Sequence, residues 1–321
     1  MQRRGCLLAG LALLLVALLV VLGPWYGSGP LAKDTAFVVA DGSSLTTVAA
    51  RLEQQGAISS ASGFRLRARL FGGGAPIRAG EFLLPKGASA SRILGIIQGD
   101  EVLRRFITVP EGMPSIMVQE RLKAQPYLTG ELALPEEGSV LPDSYDFERG
   151  ESRQAVLLRM QAAMQRTLKE LWEKRGPDTV ARTPQEAVIL ASIVEKETGK
   201  PSERKLVAGL YSNRLRQGIM LQADPTIIYP ITLGKPLGRR IRQSEIQAIN
   251  AYNTYAMLGL PKGPITNPGK ASIEAVLHPA KTDALYMVAD GTGGHAFAAT
   301  LLQHNANVEK WFAIRRARGE I

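Results

Sequence analysis

Residues 183–199, with the sequence TPQEAVILASIVEKETG, constrain the fold more than any other part of the chain. Their first four residues have the spacing of a capping box with proline at the first helical position, which predicts a helix N-terminus. Within residues 187–194 only Ser192 is polar. A helix that is apolar nearly all round belongs inside a protein, so this helix is predicted to form the centre of a core.

Two carboxylates, Glu195 and Glu197, follow at the C-terminal end of this helix. Glu195 shares a face with Ser192, and Glu197 lies on a neighbouring face with Val194. Negative charge near a helix C-terminus opposes the macrodipole, and apolar surroundings disfavour ionisation, so both effects are expected to raise the pKa of a carboxyl group here. A carboxylic acid that is protonated near neutral pH can act as a general acid. The alternative is an ordinary solvated last turn.

A membrane anchor is predicted over residues 6–26, because two arginines precede a long apolar run and an aromatic pair, Trp25 and Tyr26, follows it. Residues 1–5 then form a cytoplasmic stub, residues 27–35 form a small, polar linker, and the remaining chain lies outside the cytoplasm. A cleaved signal peptide is the alternative, although no small-x-small cleavage site follows the apolar run.

Three segments of the first third share one plan, in which a short apolar run, a turn residue and a glycine lead into a helix: residues 38–52, 83–97 and 108–122. Each helix has an apolar pair at i,i+4 spacing: Val48 and Leu52, Ile93 and Ile97, Val118 and Leu122. Ser44 and Ser89 are predicted N-caps, and Pro114 suits a first helical position. With a long amphipathic helix over residues 152–175, the prediction is an α+β fold.

The composition excludes several classes of protein. An apolar content of 45% rules out a disordered chain, and a single cysteine, Cys6, rules out an internal disulfide. The net charge of +10 favours anionic partners, but no Lys/Arg run is interleaved with aromatic residues, so nucleic acid is not an expected partner. The three histidines lack HExxH spacing, so no metal is expected, and no other cofactor is required.

Three segments of the last third are dense in turn residues, amides, hydroxyls and aromatic rings. They are NRLRQGIMLQADPTIIY over residues 213–229, AYNTYAMLGLPKGPITNPG over residues 251–269, and YMVADGTGGHAFAATLLQHN over residues 286–305. Such loops suit a polyhydroxylated, amide-bearing ligand, since they supply hydrogen-bonding groups and aromatic faces for sugar rings. The alternative is that these residues only make turns.

These motifs, in this order after ILASIVEKET, resemble the endolytic murein transglycosylase (YceG-like) family over roughly residues 36–312. The resemblance implies a bacterial inner-membrane protein with a single-pass anchor, a LysM-like strand-turn-helix module over residues 36–105, and a mixed α/β catalytic domain over residues 106–321. It implies that this domain lies in the periplasm or outside the cell. Two departures from the family pattern are EGSVLPDSY at residues 137–145, where larger groups are common, and Lys262, where proline is common.

The resemblance also implies roles for individual residues. Glu195 falls on the first glutamate of the VEKET motif and is the expected catalytic acid/base, with Glu197 the less favoured candidate. The residues expected to bind substrate or support the acid match the later motifs: Gln222, Asp224, Thr226, Tyr252, Asn253, Tyr255, His295, Phe297, His304 and Asn305.

The implied reaction is cleavage of peptidoglycan glycan strands between N-acetylmuramic acid (MurNAc) and N-acetylglucosamine (GlcNAc), with formation of a 1,6-anhydro-MurNAc end. One carboxyl group can serve as acid and then as base, unlike the two carboxylates of most glycosidases. An enzyme anchored in the cytoplasmic membrane is expected to cut nascent strands and so terminate their elongation. Peptidoglycan synthases are then candidate partners.

Three other functions are compatible with parts of the sequence. A non-catalytic peptidoglycan-binding or scaffold protein of the cell-wall machinery would keep the fold, but the intact VEKET motif argues against it. A muramidase that uses water differs only in its products. A serine acyl enzyme is suggested by S-x-x-K at residues 202–205, but no S-D-N or K-T-G motif follows.

Overall fold

The computed structural model describes residues 13, 15, 16, 18 and 20–321. The predicted stub at residues 1–5 and most of the predicted anchor at residues 6–26 lie outside these described residues. Within the described part of the chain, no helix is both long enough and apolar enough to cross a bilayer. Residues 20–26 are helical.

The chain forms two compact units. Among the described residues, the first unit comprises those up to Arg105 and residues 146–150, and the second unit comprises residues 106–145 and 151–321. The described residues form helices and three two-stranded sheets, so the predicted mixed α+β class is confirmed. The LysM-like character of residues 36–105 stays a prediction.

The first unit is built from two antiparallel strands, β1 (Thr35–Val39) and β2 (Gly80–Leu84), and three helices, α1 (Leu45–Gln54), α2 (Ala61–Phe71) and α3 (Ala90–Gln98). Phe37 of β1 lies opposite Phe82 of β2, and both side chains are fully buried. The predicted apolar pairs of α1 and α3 are buried beside them. Ser44 and Ser89 cap these helices through their side chains, as predicted.

The segment that precedes β1 belongs to the core of the first unit. The Trp25 side chain, expected at a membrane interface, is 1% exposed and packs near the rings of Phe64 and Phe71 of α2. Leu31 is also buried in this core, and Gly87 N–H donates to its carbonyl oxygen at 2.9 Å. Most of the other residues of the predicted linker at residues 27–35 are exposed, and its role as a linker stays a prediction.

Strands β3 (Arg105–Thr108) and β4 (Ser144–Phe147) form one sheet, and β5 (Tyr286–Ala289) and β6 (His295–Ala298) form an antiparallel hairpin in the second unit. The helices of the second unit are α4 (Ser115–Lys123), α5 (Arg153–Glu173), α6 (Pro184–Glu197), α7 (Arg204–Arg216), α8 (Pro225–Thr232), α9 (Gln243–Ile246), α10 (Lys270–Leu277) and α11 (Leu301–Ala317), with a short 3₁₀ turn at Pro201–Glu203. Pro114, predicted at the first helical position, is instead the N-cap residue of α4, one position before the helix begins at Ser115.

Helix α6 lies at the centre of the second unit, as its sequence predicts. All its residues from Ala187 to Val194 are buried, and it packs against α5, α7, α8 and α10. Thr183 caps the helix by accepting the Glu186 N–H at 3.1 Å, while the Glu186 carboxylate reaches back to the N–H of Arg182 at 2.7 Å. The apolar surface that predicts a core position thus fixes the end of α6 inside the unit.

Candidate active site

A cavity of about 540 Å³ lies beside the last turn of α6 in the second unit. Lys196 and Glu197 come from this turn. The remaining wall comes from α7, the residues leading into α8, the loop that contains Tyr255, the β5–β6 hairpin and the start of α11. The polar and aromatic residues that line the cavity are Lys196, Glu197, Tyr211, Arg214, Gln222, Asp224, Tyr255, Tyr286 and His304.

The Glu197 carboxyl group has the electrostatic environment of a general acid. Burial raises its pKa to about 7, and the negative charge of Asp224 adds to the shift. A hydrogen bond with the Tyr211 hydroxyl and the positive charge of Arg214 act in the opposite direction. Its Oε1 is shielded from solvent and has no hydrogen-bond partner among the residues described. This raised pKa makes both the protonated and the ionised form of the Glu197 carboxyl group accessible near neutral pH.

Arg214 is held in the cavity wall by backbone carbonyl groups. Its guanidinium donates to the carbonyl oxygens of Leu285 (2.6 Å), Met220 (2.9 Å) and Leu221 (3.1 Å), and to Oε1 of Gln222 (3.2 Å). Only 7% of the residue is exposed. These acceptors are neutral, and the positive charge of Arg214 acts on other groups that line the cavity, such as Glu197.

Gln222 and Asp224 are placed by a turn that packs on residues 253–255. Gln222 has a left-handed backbone with φ of +54°, which is strained for a residue with a side chain, and its N–H donates to the Thr254 carbonyl oxygen at 3.1 Å. Asp224 accepts the Tyr255 hydroxyl at 2.7 Å. Burial and this bond to Asp224 raise the pKa of Tyr255. The Tyr255 hydroxyl is therefore a fixed donor that orients the Asp224 carboxylate.

His304, on α11, forms another part of the cavity wall. Its ring stacks on Tyr286 with the centroids 5.3 Å apart. Burial and the charge of Arg214 lower the pKa of His304, so its imidazole is neutral at physiological pH. Its Nδ1 is buried without a partner in the described part of the chain. A neutral ring stacked on tyrosine suits contact with an uncharged sugar.

Glu195 lies outside the residues that line this cavity. Its side chain is 6% exposed, its Oε2 accepts the Gly269 N–H at 2.9 Å, and its Oε1 lies 3.6 Å from the Arg204 guanidinium. Arg204 also donates to Glu111 at 3.1 Å. Both oxygens of Glu195 thus have partners that favour a fixed carboxylate joining α6 to the start of α10.

His295 and Phe297, on strand β6, also lie away from the cavity. His295 contacts Glu203 through its ring Nδ1, which lies 2.9 Å from Oε2, and through its N–H, which donates to Oε1 at 3.1 Å. The Phe297 ring is edge-on to His295, with centroids 6.2 Å apart. These contacts tie the β5–β6 hairpin to the residues that follow α6.

The remaining predicted site residues differ in position and burial. Thr226 and Asn253 are completely buried, and Asn253 donates to the carbonyl oxygens of Glu245, Ile246 and Ala248, which is a structural role. Tyr252 packs against Tyr229 with the rings 4.9 Å apart. Asn305 is exposed on α11. Of the predicted binding residues, the cavity brings together Gln222, Asp224, Tyr255 and His304.

Tyr211, Arg214 and Tyr286 are not among the site residues predicted from the sequence. Arg214 lies within the NRLRQG motif, and Tyr286 opens the YMVADG motif, so their positions carried a signal. Tyr211 precedes the quoted motif, and nothing in the sequence marks it as a site residue, because a tyrosine on an apolar helix face is typical of a protein core. Its proximity to Glu197 depends on how α6 and α7 pack.

This chain is similar to a family model, to named relatives and to a solved structure of YceG-like proteins. The YceG-like family matches residues 37–310. Two relatives named endolytic murein transglycosylase are each 30% identical: one from Bacillus subtilis over 187 residues (57% of this chain and 50% of the relative), and one from Streptococcus pneumoniae D39 over 243 residues (70% and 43%). The chain thus spans half or less of the length of these relatives. A crystal structure of a YceG-like protein from Listeria monocytogenes has a TM-score of 0.55 and 25% identity, covering 85% of this chain and 98% of that one.

Proposed function

This chain belongs to the YceG-like family, and we propose that it is an endolytic lytic transglycosylase that cuts peptidoglycan glycan strands between MurNAc and GlcNAc. The names of the relatives support the class of reaction. The observation that carries the proposal for this chain is Glu197, a carboxyl group with a pKa of about 7 in a polar and aromatic cavity. A cavity of about 540 Å³ has room for sugar rings.

The geometry favours Glu197 over Glu195 as the acid. Glu197 lines the cavity, whereas Glu195 does not, and both carboxylate oxygens of Glu195 have partners in Gly269 and Arg204. The assignment of Glu195 by family resemblance stays a prediction, and the experiment below separates the two residues.

In the proposed mechanism, Glu197 donates its proton to the glycosidic oxygen as the bond between this oxygen and C1 of MurNAc breaks. The GlcNAc product keeps that proton as a hydroxyl group. The Glu197 carboxylate then accepts the proton of the MurNAc C6 hydroxyl while O6 bonds to C1, which closes the 1,6-anhydro ring. No water is consumed, and Glu197 ends protonated as it began.

The groups around Glu197 support each form of the carboxyl in turn. Burial and Asp224 favour the protonated acid that begins the reaction. Arg214 and Tyr211 favour the carboxylate that exists after the proton has left, so the negative charge in this buried site is stabilised. A carboxyl group with a pKa near the working pH performs both transfers well.

The proposal includes the expected location and partners. The predicted anchor at residues 6–26 would hold the enzyme at the bacterial inner membrane with its catalytic part in the periplasm or outside the cell. There it would meet nascent glycan strands and terminate their elongation close to the peptidoglycan synthases.

The test uses the full-length protein with purified peptidoglycan and mass spectrometry of the products. The unmodified chain is expected to produce 1,6-anhydro-MurNAc ends. Glu197→Gln is expected to lower the rate by about 10²- to 10⁴-fold, the usual contribution of a general acid. Glu195→Gln is the matched control two residues away, and it should keep most of the activity once thermal unfolding shows that it is folded.

Other outcomes would redirect the proposal. Loss of activity in Glu195→Gln but not in Glu197→Gln would assign the acid to Glu195. Reducing MurNAc ends would identify a hydrolase. A lack of products from the unmodified chain on both mature and nascent strands would favour a peptidoglycan-binding or scaffold protein.

A further inference from the structure

We propose that helix α2 of the first unit lies on the surface of an anionic lipid bilayer, with Leu66 and Leu70 in the interfacial region. These leucines are one helical turn apart and are 61% and 64% exposed. The opposite face of α2 is buried through Phe64 and Ala68. The helix therefore has a second apolar face, which the fold of the first unit leaves uncovered.

The charges of α2 match an anionic surface. The helix contains Arg65, Arg67 and Arg69 and has no acidic residue. Arg69 is exposed and lies beside the leucines on the helix surface. Arginine stems can rest on apolar surface while the guanidinium groups meet lipid phosphates, and exposed leucines flanked by arginines are typical of helices that lie in the membrane interface.

The position of α2 next to the apolar N-terminal segment indicates a bilayer as the occupant. Arg67 donates to the carbonyl oxygens of Val21 at 2.9 Å and Val20 at 3.4 Å. The Val20 carbonyl lacks its usual helical donor because Pro24 has no N–H. Arg67 and Leu70 are i,i+3 neighbours on α2, so the exposed leucines lie close to the point where Arg67 binds the N-terminal segment.

The N-terminal segment has the same apolar character as this face. Its exposed aliphatic side chains, among the described residues, are Leu13, Leu15, Val16, Leu18, Val20 and Val21. The buried Trp25, packed between Phe64 and Phe71, fixes the end of the segment to α2. If this segment enters a bilayer, α2 is brought to the bilayer surface with its leucines and arginines at the headgroups.

This inference does not depend on the proposed enzymatic activity, because α2 belongs to the first unit and the candidate active site belongs to the second. It adds a second contact to the predicted anchor. A helix that lies flat on the surface would restrict the orientation of the first unit relative to the membrane.

The test places single fluorophores on the full-length chain in lipid vesicles. In a Cys6→Ser background, the variants Leu66→Cys and Leu70→Cys are labelled with a nitrobenzoxadiazole dye. Leu83→Cys is the matched control, because Leu83 is an apolar residue of the same unit with 46% exposure. Leu83 faces away from the core, since its neighbours Phe82 and Leu84 are fully buried.

In vesicles containing phosphatidylglycerol, we expect blue-shifted emission and quenching by headgroup-proximal spin-labelled lipids at positions 66 and 70, but not at 83. Adding Arg69→Glu or replacing phosphatidylglycerol with phosphatidylcholine should reduce the quenching several-fold. Water-like emission at all three positions, or a chain that does not float with vesicles, would overturn the proposal. A blue shift without lipid quenching would also overturn it, because protein would then cover the face. Quenching that is unchanged both by Arg69→Glu and by the replacement of phosphatidylglycerol would contradict the proposal that the surface must be anionic.

Discussion

Glu195 and Glu197 are two residues apart on one helix turn, yet their carboxyl groups have different partners. The sequence predicts a raised pKa for a carboxyl at this position, and the structure locates that effect on Glu197. Helical geometry shows that the two side chains lie on different faces. It cannot show which face meets a cavity, because the groups around Glu197 come from Tyr211, Arg214 and Asp224, whose distances from it depend on tertiary packing.

Replacement of Glu197 with glutamine is expected to stabilise the protein at neutral pH. The pKa of Glu197 is about 7 in the folded state, against an ordinary value of 4.5, so the folded state binds this proton more tightly than the unfolded state. The stability of the unmodified protein relative to Glu197→Gln therefore falls as pH rises from about 4.5 through 7, by on the order of 3 kcal/mol.

This prediction is checked by chemical unfolding of both proteins from pH 4.5 to pH 8. Glu170→Gln is a suitable control because Glu170 is an exposed carboxylate on α5, and its effect should stay within about 0.5 kcal/mol at every pH. A stability difference between Glu197→Gln and the unmodified chain that does not change with pH would contradict the raised pKa.

At the scale of elements, the β5–β6 hairpin is held by a side chain from outside it. Glu203, at the end of the 3₁₀ turn, accepts the His295 N–H and contacts the His295 ring. Lys200 lies 3.7 Å from the same carboxylate. The hairpin supplies Tyr286 and Met287 to the cavity wall, so Glu203 helps to position that wall without lining it.

Glu203→Ala is expected to loosen the hairpin. Loss of hydrogen bonds to a charged group weakens an element by about 1.5–3 kcal/mol, so amide hydrogen exchange in β5 and β6 should accelerate by about 10- to 100-fold. Exchange in α1 of the first unit should not change. Glu309→Ala, which alters an exposed glutamate of α11, is the control. Unchanged exchange in the hairpin of Glu203→Ala would mean that the strand pairing alone holds it.

The elements that the sequence predicts best are those whose apolar spacing points to one core. The pairs Val48 and Leu52, Ile93 and Ile97, and Val118 and Leu122 are all buried. Helix α2 was not predicted, because leucines on its exposed face and Phe64 and Ala68 on its buried face leave no single apolar stripe. Apolar residues on two faces of a helix obscure the spacing that a single buried face would produce.

At the scale of the whole molecule, Asn267 joins parts of the second unit that are far apart in sequence. Its side chain donates to the Met113 carbonyl oxygen (2.9 Å) and to Ser115 Oγ (3.1 Å), and it accepts the Val140 N–H (3.0 Å). The residue is completely buried. The same loop continues to Gly269, which binds Glu195, so these contacts link the core helix to the segments around it.

Asn267→Ala is expected to destabilise the second unit by about 1–3 kcal/mol, because it leaves the buried Val140 N–H without its hydrogen-bond acceptor, while the Met113 carbonyl oxygen keeps the backbone N–H of residue 267. Urea unfolding monitored by circular dichroism measures this loss. Asn305→Ala removes the same side chain from an exposed position on α11 and should change stability by less than about 0.5 kcal/mol. A loss below about 1 kcal/mol for Asn267→Ala would show that water replaces these bonds.

The order of motifs along the chain predicts the family and the α+β class, whereas the roles of individual motif residues were only partly predictable. Asn253 and Thr226 lie in motifs that suggest ligand binding, but both are buried and bonded to other parts of the protein. Residues that shape a loop and residues that touch a ligand occur side by side in such motifs. Only three-dimensional packing separates them.

The burial of Trp25 sets a limit for anyone who wishes to crystallise this protein or record its spectra without the apolar N-terminal segment. A shortened chain that begins after Tyr26 removes a side chain that is 1% exposed and packs near Phe64 and Phe71. Loss of a buried aromatic side chain costs about 3–5 kcal/mol, a large share of the stability of a small unit. Such a sample would expose its own core and aggregate, so the truncation point should lie before Pro24.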